Sequence, residues 1–182
     1  MTIVFILATI VVMVGLVFAF SSNQSAVEAH AIINRPAANV FSYIRQLRNH
    51  EKFNVWVMMD PDMKREYRGE DGTVGFVYHW SSDKKRNVGT GEQEIKEIIE
   101  NQKIVFELRF IKPFQSVASA VMTIEAAGPK ETVVNWSFSS TMKMPMKLMK
   151  PMIENMLEKN LEKSLRNLKK IMEHHVIEKS VA

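Results

Sequence analysis

The chain has 182 residues, of which 46% are apolar and 24% charged, with a net charge of +4 and no cysteine. This is enough for one domain with a sizeable core and short for two. The lack of cysteine excludes disulfide frameworks, thiolate nucleophiles and cysteine-ligated metals, and mild basicity spread among interleaved acids is weak evidence for an anionic partner.

In chain order, the first feature is IVFILATIVVMVGLVFAF, residues 3–20, which carries no charge and only Thr9 as a polar side chain. A helix of that length rises ~27 Å, close to the hydrocarbon thickness of a bilayer. Residues 1–21 are therefore read as a single-pass anchor that enters the membrane through residues 3–20. A secretory signal peptide, with Ala19 and Ser21 at its cleavage site, is the competing reading. Against it, the run exceeds the ~7–15 residues of a signal core and no Lys or Arg precedes it. The nearest basic residues, Arg35, Arg45 and Arg48, follow the span and lean toward a cytoplasmic domain. Only the α-amino group stands against them, so the side stays open.

Residues 22–25 read as a linker, 26–176 as one folded domain and 177–182 as a tail. Val27–Ile33 reads as a strand. NRPAANVFSYIRQL starts a helix, with Asn34 as N-cap and Pro36 in the first turn. RNHEKFN reads as a second short helix, followed by a loop with Trp56 and the turn Asp60-Pro61-Asp62. Strands are then predicted near 63–68, 73–80, 88–99, 103–111, 116–127 and 132–141. The turns between them are Gly69–Gly72, Ser82–Asn87, Asn101-Gln102, Lys112-Pro113 and Gly128-Pro129. Such short links join antiparallel neighbours, so the six form a meander. From about Lys147–Pro151 the apolar period changes to three and four residues and continues to Met172, predicting one long helix. The fold class is thus α+β, a curved antiparallel sheet of about seven strands wrapped around a C-terminal helix, with two short helices after the first strand.

Alternation assigns an inward face: Val74, Phe76, Tyr78 and Trp80; Ile104, Phe106, Leu108 and Phe110; Ala118, Ala120, Met122 and Ile124; Val134, Trp136 and Phe138. This wall is aromatic, with few polar groups. No catalytic constellation accompanies it. His30, His50 and His79 lie on separate elements and His174 and His175 are adjacent, so no ligand spacing forms and no metal site is expected. Asp60, Asp62 and Glu66 read as turn formers. Glu92 and Glu94 share a solvent face with Lys96, and Ser139, Ser140 and Thr141 have no neighbouring base. GTVG (72–75) and GTG (89–91) precede strands and read as bends rather than phosphate cradles. Lys84-Lys85-Arg86 lacks interleaved aromatics and makes no case for nucleic acid. No cofactor is expected.

Several strings, in order, carry a family resemblance: AIINRPAANVFSYIRQLRNHEKF, MMDPDMKREYRGEDGTVGFVYHW, GTGEQEIKEIIENQKIVFELRFIKPF, and TMKMPMKLM leading into the long helix. The chain resembles the START-related helix-grip superfamily (SRPBCC), in its polyketide cyclase/dehydrase and lipid transport branch, over about residues 26–173. It departs from a tryptophan-rich segment common in that branch, since Phe53-Asn54-Val55-Trp56 keeps only the last tryptophan. An N-terminal span also precedes this domain in bacterial members, which implies a bacterial inner-membrane location. The resemblance implies an apolar cavity between the sheet and the final helix.

The expected function is a membrane-anchored, non-catalytic module binding a hydrophobic, lipid-like small molecule. The expected cavity lining is Trp56, Phe76, Tyr78, Trp80, Phe106, Phe110, Met122, Trp136, Phe138, Met149, Met152 and Met156. The methionines of MKMPMKLMKPM, residues 142–152, would form an adaptable mouth, with Pro145 at the change of period. Two rivals stay open: a cyclase or dehydratase acting on a hydrophobic substrate, and a protein-interaction module at the membrane.

Overall fold

The computed structural model describes residues 22–83, 88–144 and 146–174. Its strands are β1 (Gln24–Ile33), β2 (Lys64–Arg68), β3 (Val77–Ser81), β4 (Thr90–Ile99), β5 (Lys103–Lys112), β6 (Ser116–Gly128) and β7 (Glu131–Thr141). Helices α1 (Ala37–Ile44), α2 (His50–Phe53) and α3 (Val55–Met58) follow β1, and α4 (Lys150–His174) follows β7. A single antiparallel sheet has the order β1-β7-β6-β5-β4-β3-β2. The meander from β2 to β7 follows from its short turns. At the β4–β5 turn Asn101 takes φ 57°, a left-handed value that asparagine tolerates. β1 completes the sheet by pairing with β7 from Gln24↔Thr141 to Ile33↔Thr132. Irregularities at Thr90/Gly91 and Ile95/Glu97 interrupt the β4–β5 ladder, and such bulges bend and twist a sheet.

Helix α4 lies alongside β1 and runs in the same direction. Lys150 Nζ donates to Gln24 O (2.6 Å), Lys169 Nζ to Ile32 O (2.8 Å), and Asn34 N to Glu173 Oε1 (2.8 Å). The lengths match, since residues 150–169 of a helix and 24–32 of a strand both span ~27–28 Å. The fully buried core includes Phe41, Ile44, Phe53, Phe76, Ile95, Ile104, Phe106 and Met122, closed by Leu161, Leu165 and Leu168 of α4. Only the second half of α4 is deeply buried; no residue from 150 to 160 is.

Ser164 ties α3 to α4. Its fully buried hydroxyl accepts from Val55 N (3.0 Å) and donates to Asn160 O (2.7 Å). Ser164→Ala would leave the Val55 N–H without that acceptor, and we expect a loss of ~1–3 kcal/mol, read as a lower urea midpoint at unchanged slope.

His50 is buried among Phe53, Phe106 and Trp136, with ring centroids 4.8, 5.6 and 6.2 Å away. Its Nε2 lies 2.8 Å from Ile44 O, which can only accept, so Nε2 carries the proton. Nδ1 is buried without a partner, and burial pulls the imidazole pKa down to about 4.

Several expectations change. The first helix starts at Ala37 with Pro36, not Asn34, at its N-cap. The predicted second helix is a 3-10 turn (Leu47–Asn49) followed by two one-turn helices, separated where Asn54 leaves helical geometry. The strand expected from residue 73 begins at Val77, because Gly72 and Gly75 take φ 79° and 88° and Phe76 N closes a turn on Thr73 O (3.2 Å). Val74 is consequently 60% exposed rather than inward. β1 begins earlier than predicted and absorbs the linker: Asn23 O already accepts from Met142 N (2.8 Å). The apolar run 3–20, the Lys84–Arg86 tip, Pro145 and the tail 177–182 lie outside the described residues. Among the described residues, no helix is long and apolar enough to cross a membrane.

Candidate ligand-binding cavity

A cavity of about 190 Å³ lies between the inner face of the sheet, α3 and the middle of α4. Each wall comes from strand alternation or helix periodicity. β3 contributes Tyr78 and Trp80, β4 Gln93, β5 Leu108 and Phe110, β6 Ala120, and β7 Trp136 and Phe138. Asn54, Trp56 and Val57 close one side and Leu157 and Leu161 of α4 another, with Met63 and Val88 at the strand ends. Asn54 holds α3 in place, its Oδ1 accepting from Trp56 N (3.0 Å).

The aromatic rings brace one another. Trp56 meets Trp136 edge-on at 6.5 Å, Trp80 meets Phe110 at 6.0 Å, and Tyr78 leans on Trp80 at 5.8 Å. Three polar groups matter in this apolar shell. Trp80 Nε1 is satisfied by Val88 O (3.2 Å). Trp136 Nε1 is buried and has no partner. Tyr78 OH lies 4.0 Å from the Met63 sulfur, and burial, partly offset by Arg65, raises its pKa well above the ordinary tyrosine value. It therefore remains a neutral hydroxyl, a donor rather than a base. Among the described residues, the lining holds no carboxylate, lysine or histidine.

Gly91 shapes this space. A Cβ there would sit 2.5 Å from Trp80 Cζ2 and 2.7 Å from Arg109 O, so the absent side chain lets the indole lie against β4. Gly91→Ala is expected to drive Trp80 inward and cost ~1–3 kcal/mol. The check is a urea melt beside titration with an apolar fluorescent dye, whose uptake should fall.

Six of the twelve predicted lining residues come together here: Trp56, Tyr78, Trp80, Phe110, Trp136 and Phe138. Phe76, Phe106 and Met122 face the same interior but are packed solid, each at most 1% exposed. Met149, Met152 and Met156 do not reach the cavity; they are 50%, 60% and 51% exposed. Met156 and Leu165 are nine residues apart, two and a half helical turns, so they fall on opposite sides of α4. The other nine lining residues were not among the twelve, Gln93 included, although it lies between the outward Glu92 and Glu94 and alternation turns it inward.

Other candidate chemistry has local partners. Arg109 binds Glu94 (2.7 Å), Glu107 (2.6 Å) and Glu92 (3.0 Å) on the outer face, holding the Glu94 carboxyl below its usual range. His79 lies 3.7 Å from Glu92 on that face. Asp60 accepts from Asp62 N (3.2 Å) and from the Ser82 hydroxyl, which fixes the Asp-Pro-Asp turn. Among the described residues, no group of three or more acids and histidines is placed to hold a metal. A wider depression of about 350 Å³ lies among Lys96, Glu107, Val117, Ser119 and Thr141, and is more open to solvent than the aromatic cavity.

An antiparallel sheet gripping a long C-terminal helix, with an apolar cavity between them, defines the helix-grip class. A family model for polyketide cyclase / dehydrase and lipid transport matches residues 24–173, and the chain belongs to that family. Norcoclaurine synthase of Thalictrum flavum, solved with dopamine and hydroxybenzaldehyde, is similar in structure at a TM-score of 0.63 and 11% identity, covering 84% of this chain and 88% of that one. XoxI of Bacillus cereus aligns at a TM-score of 0.59 and 11% identity, covering 81% and 95%. A Chromobacterium violaceum protein aligns at 0.58 and 12%, covering 82% and 97%. At such identities the likeness shows the fold alone. No curated protein matches the chain.

Proposed function

We propose that the domain binds a small apolar molecule carrying a hydrogen-bond acceptor, and that it holds the molecule rather than transforming it. The observation that carries this reading is the cavity lining, mostly aromatic and aliphatic, with Asn54, Gln93 and the Tyr78 hydroxyl as its few polar side chains. The Tyr78 hydroxyl and the Gln93 amide can donate to a carbonyl, ether or hydroxyl oxygen on a guest. Volume limits the enclosed part. A cavity of ~150 Å³ accepts benzene, so about 190 Å³ suits one ring or a short stretch of acyl or isoprenoid chain. A longer guest would protrude. Among the described lining residues the one ionisable group is Tyr78, which stays protonated and supplies no base for cyclisation or dehydration.

The uncharged run 3–20 anchors the module in the membrane, and the apolar guest is then a lipid or lipid-like molecule. Purification of the full chain, solvent extraction and mass spectrometry should recover such a molecule at near one per chain. An empty protein, together with a bound apolar dye that no lipid displaces, would refute this reading. Membrane fractionation tests the anchor separately.

A further inference from the structure

The ends of several strands meet on one side of the molecule. Pairing places the start of β1 at the end of β7, the end of β5 at the start of β6, and the end of β3 at the start of β2. Thr90 pairs with both Lys112 and Ser81, and Ala118 with Ser140, so all these ends lie together. Lys150 fixes the start of α4 beside Gln24 at the same end. Here the exposed apolar side chains gather. Ile111, Phe114, Met144, Leu148, Met149 and Met152 are all at least 40% exposed, Phe114 and Met144 at 64%. The two loops concerned, 111–116 and 142–150, contain four lysines and no acid. Lys147 is buried and Lys150 is bonded to Gln24 O and paired with Glu154, while Lys112 and Lys143 are exposed. Apolar tips flanked by exposed cations suit an anionic lipid surface and are costly to leave in water.

The apolar run ends at the same place. Asn23 is already bonded to Met142 and Gln24 is paired with Thr141, so the fold begins three residues after Phe20. Three residues reach ~10 Å at most, while the headgroup layer on each side of the hydrocarbon core is ~5–8 Å deep. If residues 3–20 span the bilayer, the tether lets this end stand at most ~2–5 Å beyond the headgroup layer, which keeps it against the membrane surface.

We propose that this end of the domain seats on an anionic bilayer, with Phe114, Met144 and Leu148 in the headgroup layer. The proposal rests on the anchor reading above and gives the guest its route. Trp80, Phe110 and Phe138 of the cavity wall lie within a few residues of these strand ends, so one side of the cavity is close to the seated end.

The full chain has no cysteine, so a single introduced thiol is a unique label site. Phe114→Cys, Met144→Cys, Leu148→Cys and, at the opposite end, Val74→Cys replace exposed side chains and should leave the fold intact. Each is labelled with an environment-sensitive fluorophore in vesicles of phosphatidylcholine and phosphatidylglycerol carrying headgroup nitroxides. Quenching should be several-fold stronger at the first three positions than at Val74→Cys. Equal, weak quenching in chains that float with the vesicles overturns the seated end while leaving the anchor standing. Chains that fail to float overturn both. Labels shielded equally without vesicles would mean that residues 3–20 or a second copy covers this face, and would also overturn it.

Discussion

Phe106→Ala should destabilise the domain by ~3–5 kcal/mol, whereas Phe110→Ala, two inward positions further along the same strand, should cost ~1 kcal/mol. Phe106 is fully buried and meets His50 edge-on at 5.6 Å, so truncation leaves a void that surrounding rings cannot fill. Phe110 borders space that is already empty and touches Trp80 at 6.0 Å. Its loss enlarges the cavity, and the variant should take up bulkier guests while binding the native one more weakly. Urea melts give the first pair of numbers and dye displacement the second. Equal destabilisation of the two variants would mean that the cavity is closed in solution.

Acid should weaken the domain through His50. Burial, partly offset by the Ile44 carbonyl and the charge of Asp71, brings its pKa from 6.5 to about 4 on folding. Between these values the unfolded chain binds the proton and the folded chain does not, so stability rises with pH. The contribution is complete above pH 6.5 and disappears as pH falls toward 4, amounting to ~3 kcal/mol. Protonation would place a hydrogen on Nδ1, which has no acceptor within the core. Urea midpoints from pH 7.5 to 4 should trace this slope, and His50→Gln should flatten it whatever its baseline stability. The same slope in both proteins would place the titrating group elsewhere.

Strand order, faces and the position of the last helix were legible because alternation and turn chemistry are local. Tyr78 and Trp80, Phe110, and Trp136 and Phe138 could be placed on one inner wall from spacing alone. Whether a wall residue meets a guest or a neighbour depends on how far α4 stands from the sheet. No periodicity records that distance, which is why Phe76 and Phe106 were placed with the cavity. The methionines failed for a different reason. Steps of three and four residues from Met149 join smoothly onto those of Leu161–Met172, yet accumulated rotation carries Met152 and Met156 around to the exposed flank. The early start of β1 was hidden by Ser22–Ser25, whose polar composition resembles a linker but whose backbone is paired from Asn23 onward.

The division of α4 into a buried second half and a lightly held first half has a mechanical consequence. From Leu161 onward the helix is clamped, through Ser164 to α3 and through Lys169 and Glu173 to the first strand and its end. Ahead of Leu161, Leu157 faces the cavity and no residue is deeply buried. The helix is therefore a lever with a fixed fulcrum, its front arm held at the tip by Lys150 on Gln24 O and only lightly buried between. A small rise of that arm would widen the chamber while the core stays shut.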